Sequence, residues 1–263
     1  MDSASPPAFA ASPAAGRVFA VSRVVRSTDV TPAGRLRFDA LARYLQDAAE
    51  DDLADSGWDE PSDWLLRRVT VAVRRYPVRR EVLRLNTFCS AIGPRWAERT
   101  TTVAGPGGDL IQARAVWVAI ARSDGRPAPL GAAFHRLYGP SAEGRRVSAR
   151  LSHPGPPPGS HSVPPGSGAR RPAGGPWPLR ATDFDLAGHV NNSVHWAAVE
   201  EVLAGLEDGW LPARADFEYA RPIEPGPDPD LVVSRTPDEL RVWMLGSTQT
   251  LASARLTRGQ CPA

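Results

Sequence analysis

Apolar residues along this chain recur with two periods. Phe38, Leu41, Leu45 and Ala48/Ala49 return at helical spacing and predict an amphipathic helix beginning near residue 38. Val190, Val194 and Ala197/Ala198 predict a second helix, with Asn191 or Asn192 at its N-cap. Strand patterns of period two follow each helix. In the first half Val69, Val71 and Val73 alternate with Arg68, Thr70 and Arg74 toward Tyr76-Pro77, and Leu83, Leu85, Thr87 and Cys89 alternate with Arg84 and Asn86. Two further runs, 96–103 and 110–120, flank GPGGD at 105–109, a hairpin turn. A shorter version follows the second helix: 215–223, a Pro/Gly turn at 225–229, then 231–235, 240–245 and 250–257.

The two halves also share a motif. RSTDVTPAG at 26–34 and RATDFDLAG at 180–188 match in Arg, Thr, Asp, Ala and Gly at a constant offset of 154, and each precedes a helix. Between the halves, residues 151–177 are crowded with Pro, Gly and Ser, a composition that buries too little apolar surface to offset its ordering entropy and reads as a mobile linker. The division is a frayed N-terminal tail (1–16), an N-terminal module (17–150), the linker, and a C-terminal module (178–258). The fold class is α+β, with one central helix wrapped by an antiparallel sheet in each module. A single domain would need an implausibly long structureless loop.

Composition changes this picture little. The 263 residues are 42% apolar, and all 31 basic residues are Arg against 29 acids, so the net charge is only +2 and a nucleic-acid surface is not indicated. Residues 1–16 lack the basic and long apolar regions of a signal peptide, and no membrane is implied. Cys89 and Cys261 form neither a disulfide framework nor a metal-ligand pair, which suits a reducing cytoplasm. The five His show no metal spacing, so neither a metal nor a cofactor is expected. G-x-S-x-G and P-loop motifs are absent.

Candidate chemistry concentrates in DFDLAGHVNN, residues 183–192, where Asp185, His189, Asn191 and Asn192 precede a helix start whose free N–H groups suit an oxyanion. The first copy carries Thr31, Arg35 and Phe38 at the positions of Asp185, His189 and Asn192, so it keeps the turn and loses the titratable pair. Asp183 reads as a cap or Asx-turn, and His195 as a packed or surface histidine.

D-x-D-x-x-G-H-V-N-N followed by an aromatic and a Glu resembles the helix start of hot-dog-fold acyl thioesterases, especially the tandem hot-dog acyl-ACP thioesterases of plant and bacterial type. The resemblance implies thioester hydrolysis, with Asp185 as base or nucleophile, His189 and Asn191 assisting, and the N–H groups from Val190 to Asn192 receiving the oxyanion. It also implies an Asp-x-Asn-x-His triplet, which here reads Asp185, Ala187, His189, and a downstream Glu or Cys whose position falls on Pro222. Glu224, on the same strand face, is the candidate substitute. Single-domain hot-dog thioesterases with a similar loop rely mainly on the second Asp.

The acyl chain is expected along the first helix, lined by Leu41, Leu45, Leu65 and Trp117. The carrier is ACP or CoA, with Arg74, Arg75, Arg79, Arg80 and Arg84 as a docking cluster for an acidic carrier protein. Paired modules make a monomer sufficient, and exposed sheet edges leave a homodimer open. A hot-dog 3-hydroxyacyl-thioester dehydratase or hydratase and a non-catalytic acyl-thioester binding protein are the alternative functions.

Overall fold

The computed structural model of the chain describes residues 9–58, 62–157, 175–206, 209–247 and 249–258. It contains β1 (Phe19–Val24), α1 (Phe38–Ser56), β2 (Ser62–Val73), β3 (Val82–Ile92), β4 (Trp96–Gly105), β5 (Gly108–Ala121) and α2 (Ala132–Ala142). The second half contains β6 (Gly175–Pro176), within the stretch expected to be a linker, then α3 (Asn192–Ala204), β7 (Arg214–Tyr219), β8 (Asp230–Arg235), β9 (Glu239–Leu245) and β10 (Thr250–Thr257).

All ten strands join one antiparallel sheet in the order β1-β3-β4-β5-β2-β7-β10-β9-β8-β6. The halves β1-β3-β4-β5-β2 and β6-β8-β9-β10-β7 read inward with the same connectivity, so the order is that of two hot dogs sharing a seam between β2 and β7. At the seam Val69 pairs with Phe217 and Val71 with Ala215 on the core face, while Thr70 donates to Asp216 at 2.7 Å on the other face. Alternation of apolar and polar residues fixes this register, because a one-residue slip would turn Val69 and Val71 outward.

The motif repeat is a repeat of bonds. Arg26 and Arg180 N–H groups donate to the carboxylates of Asp29 and Asp183 across short 3-10 turns. Thr31 and Asp185 N–H groups donate to the carbonyls of Arg35 and His189, Gly34 and Gly188 both have positive φ, and Arg37 and Asn191 N–H groups donate to the carbonyls of Asp29 and Asp183. Helices α1 and α3 begin at Phe38 and Asn192, again 154 residues apart.

The helices are capped differently. Asn191 caps α3 in the usual way, its Oδ1 accepting the Ser193 N–H at 2.9 Å. Helix α1 has Arg37 at its N-cap with no side-chain bond; instead Glu200, 162 residues on in α3, accepts the Phe38 N–H at 2.6 Å and holds Arg35 through two bonds of 2.9 and 2.7 Å. Phe38 stacks on Trp196 at 5.4 Å, so the helices join through both an apolar contact and a buried ion pair.

The segment before the second turn leads into the 3-10 turn at Ala181–Asp183, because the Asp183 carboxylate captures the Arg180 N–H. Several expectations are corrected. Residues 9–16 of the tail are docked: the Ala14 N–H donates to Glu143, and Gly16, at φ +91°, lies where a Cβ would come within 2.4 Å of the Ser141 nitrogen. The first part of the linker is docked as well. Ser152 and His153 donate their N–H groups to buried Glu218, and the Trp243 indole donates to the Pro154 carbonyl. A lone buried carboxylate needs such donors, and the strap at 152–154 supplies them. Residues 158–174 and Cys261 lie outside the described residues. Strand β1 and helix α2 had no expectation attached; α2 covers a second apolar cluster through Phe134, Tyr138 and Ala142.

Candidate active site

An apolar cavity, partly open to solvent, lies between α1 and the sheet. Leu41, Ala42, Leu45 and Gln46 of α1 form one wall, and Leu66, Val69, Val71, Ala113, Ala115 and Trp117 of β2 and β5 form the other. Asn192 and Trp196 of α3 and Tyr219 of β7 close it from the second module. Arg99 lines it too, with its guanidinium at 2.6 Å from the carboxylate of fully buried Asp52. The cavity is therefore walled mainly by the first module and reached by the first turn of the second module's helix.

Of the candidate substrate-binding residues, Leu41, Leu45, Trp117 and Asn192 line this cavity, and Leu65 does not. Leu65 is 41% exposed, and its neighbour Leu66 faces inward, just before the register shift in the β2–β5 pairing. Val190 is a second correction. Its side chain is core, and its N–H donates to the Ile223 carbonyl at 2.9 Å, so it cannot serve an oxyanion. Asn191 is similarly committed, its N–H to Asp183 and its Oδ1 to both the N–H and the hydroxyl of Ser193. Among the described residues the Asn192 N–H alone of these three has no acceptor.

Asp185 stands on the exposed tip of the turn and does not line the cavity. Its Oδ1 accepts the Ala187 N–H at 2.9 Å, which makes it the Asx residue of the turn. The other carboxylate oxygen carries no bond among the described residues. Half-buried His189 follows the turn and closes it through its carbonyl. Glu224 is exposed, but the bond from Val190 to Ile223 lays residues 222–224 beside His189.

The first copy explains why Pro222 matters. There the equivalent bond runs from the Leu36 N–H to the Pro77 carbonyl, so Tyr76 occupies the position of Pro222 and Val78 that of Glu224. The Tyr76 ring lies 5.0 Å from the Arg35 guanidinium, so this position faces the residue equivalent to His189. Proline there offers His189 no side-chain acceptor.

His195 belongs to the core. It is 4% exposed, meets Phe217 and Tyr219 edge-on, and has its Nδ1 at 3.2 Å from the Asn191 carbonyl. Burial pushes its imidazole down to about 4, against smaller opposing contributions from the Asn191 and Asn192 carbonyls and the Asp185 charge. Since the unfolded imidazole titrates near 6.5, this group's contribution to stability is complete above that pH and is lost as pH falls toward 4. The expected loss across that window is about 3 kcal/mol. Urea titrations of the parent and of His195→Phe as a function of pH check it: the parent's extra acid sensitivity should vanish in the variant.

The basic cluster lies on the first module: the Arg79 N–H donates to the Gly34 carbonyl beside the first copy's turn, and Arg75 pairs with Glu81. Around the second turn the exposed guanidinium groups are Arg180, which pairs with Asp183, and Arg221. Among the described residues no group of three or more His, Cys, Asp or Glu could hold a metal, and no helix is long and apolar enough to cross a membrane.

Fold and cavity together define a double hot-dog protein with an apolar site at the start of its second central helix. Residues 16–138 match the Acyl-ACP thioesterase N-terminal domain and residues 171–260 the Acyl-ACP thioesterase C-terminal domain. The chain belongs to the acyl-ACP thioesterase family, and thioester hydrolysis is the chemistry that family membership assigns to it. An uncharacterized protein of Mycobacterium tuberculosis is 26% identical over 247 residues, covering 94% of each chain. In fold the chain is similar to the 12:0-ACP thioesterase from Umbellularia californica, with a TM-score of 0.72 at 18% identity over 91% of this chain and 96% of that one. It is also similar to an acyl-ACP thioesterase from Bacteroides thetaiotaomicron, with a TM-score of 0.69 at 17% identity over 91% and 97%.

Proposed function

We propose that this chain hydrolyses fatty acyl thioesters of acyl carrier protein, with acyl-CoA as the alternative carrier, in a cytoplasmic setting and as a self-sufficient monomer. The observation that carries this reading is an apolar cavity bordered by Asn192, whose N–H has no acceptor among the described residues. The acyl chain lies against Leu41, Leu45 and Trp117. The thioester oxygen accepts the Asn192 N–H at the positive end of α3. Asp185 acts as general base through its free oxygen. It takes a proton from water as the water oxygen bonds to the carbonyl carbon, then returns it to the thiolate as the C–S bond breaks. His189 orients the water, and Glu224 supports His189 from the neighbouring segment. A carrier docked over residues 185–189, met by Arg180 and Arg221, would withdraw Asp185 from water and raise its basicity.

A non-catalytic acyl-thioester binding protein is the second reading, favoured by the exposure of Asp185 and by Ala187 and Pro222 at two family positions. The experiment that separates them offers acyl-ACP and acyl-CoA panels to the purified chain and follows free thiol, enoyl hydration and binding. Binding without thiol release would select the second reading, and enoyl hydration would select a hydratase.

Cavity shape sets the chain length. Ala113 is 2% exposed and lines the wall, so Ala113→Leu should shift the preference toward shorter acyl groups, on the order of 10-fold in kcat/KM for each methylene displaced. The ratio of kcat/KM values across a chain-length series checks this.

A further inference from the structure

Helix α3 reaches across to the first turn of α1 and ends there in an ion pair. Glu200 of α3 holds Arg35 with both carboxylate oxygens and accepts the Phe38 N–H at 2.6 Å. Subtracting 154 from 200 gives 46, just as 189 and 192 answer to 35 and 38, so the reverse reach belongs to Gln46 of α1. Gln46 lines the same cavity as Asn192 and is half-buried. In the first copy a carboxylate already occupies the anion position at the helix start. In the second copy the facing residue is an uncharged amide, and the Asn192 N–H is left without an acceptor among the described residues. The Gln46 Nε2 meanwhile donates to Glu50 on its own helix at 3.1 Å, an exposed bond that is readily exchanged.

We propose that Gln46 is a catalytic residue contributed by the first module: its amide donates to the thioester oxygen beside the Asn192 N–H, so the oxyanion site is shared by both modules. This rests on the thioesterase reading above. The oxygen of the tetrahedral intermediate takes the place that the Glu200 carboxylate holds in the first copy. A glutamine leaves that place free and adds a donor, whereas a glutamate would fill it and repel the developing charge.

The test uses the full chain and the variants Gln46→Ala and Gln46→Glu. With an acyl-ACP substrate, Gln46→Ala should lose about 10²-fold in kcat with KM little changed. Gln46→Glu should lose more above neutral pH and recover part of its rate on acidification, as its carboxylate is protonated. Without substrate, NMR titration of the His189 imidazole should move up by about one pH unit in Gln46→Glu, as an acid there would pair with His189 as Glu200 pairs with Arg35. A parent that hydrolyses no thioester would overturn the thioesterase reading, while the His189 titration would still decide where residue 46 points. An unmoved titration, or variants that hydrolyse at the parent rate across pH, would overturn the proposal.

Discussion

Hydrolysis of an acyl-ACP substrate falls by about 10²–10⁴-fold when Asp185 becomes Asn, while Thr31→Ala stays close to the parent rate. The two residues occupy the same place in twin turns, each donating its N–H to the carbonyl four residues on. Asp185→Asn keeps the side-chain oxygen that accepts the Ala187 N–H, so the turn survives and only the basic oxygen is removed. Thr31 has no titratable group, and its hydroxyl is buried with no partner among the described residues, so its loss removes nothing that could take a proton. Steady-state thiol release from both variants is the measurement. Full activity in Asp185→Asn would mean that the exposed carboxylate is a turn residue and no more.

The largest expected effect on stability is at Glu200. Its side chain is 7% exposed, and it satisfies a guanidinium that is itself only 15% exposed as well as the first N–H of α1. Glu200→Ala leaves both donors inside the inter-helix junction, and breaking a buried pair from one side costs about 3–5 kcal/mol. Denaturant unfolding of the variant checks the figure. Removing both partners in Arg35→Leu/Glu200→Leu should cost clearly less than Glu200→Ala, since no charge is then left unpaired. A double variant as unstable as the single one would show that the pair acts through packing alone.

The fold was legible where period and repeat coincide. Strand β10 falls at Thr250–Thr257, the run marked by its pattern, and both helices start where the offset of 154 places them. Helix α2 carries an internal Pro140 and a mixed polarity that masks its buried face, and β6 is two residues in a Pro/Gly-rich stretch, so neither gives a periodic signal. The docking of 152–154 depends on Glu218, distant in sequence and visible as an acceptor only once β7 is folded. At the site, the sequence marked the turn and the helix start but not which N–H groups remain free. That depends on Ile223 and Asp183 carbonyls that take the Val190 and Asn191 N–H groups. The Leu65 and Leu66 exchange has a similar cause, since an irregularity in β2 decides which of two adjacent leucines points inward. Gln46 carries no signal of its own, but the offset that pairs the two turns also pairs it with Glu200.

Continuity of the β2–β7 seam bears on how the halves have come to differ. In an assembly of two identical subunits, any substitution appears twice, and an arginine replacing the histidine of the turn would abolish both centres together. Joining both halves in a single polypeptide lets Arg35 and His189 coexist at equivalent places, the one paired with Glu200 and the other half-buried beside the turn of Asp185. One half could thus give up reactivity for cohesion without silencing its twin.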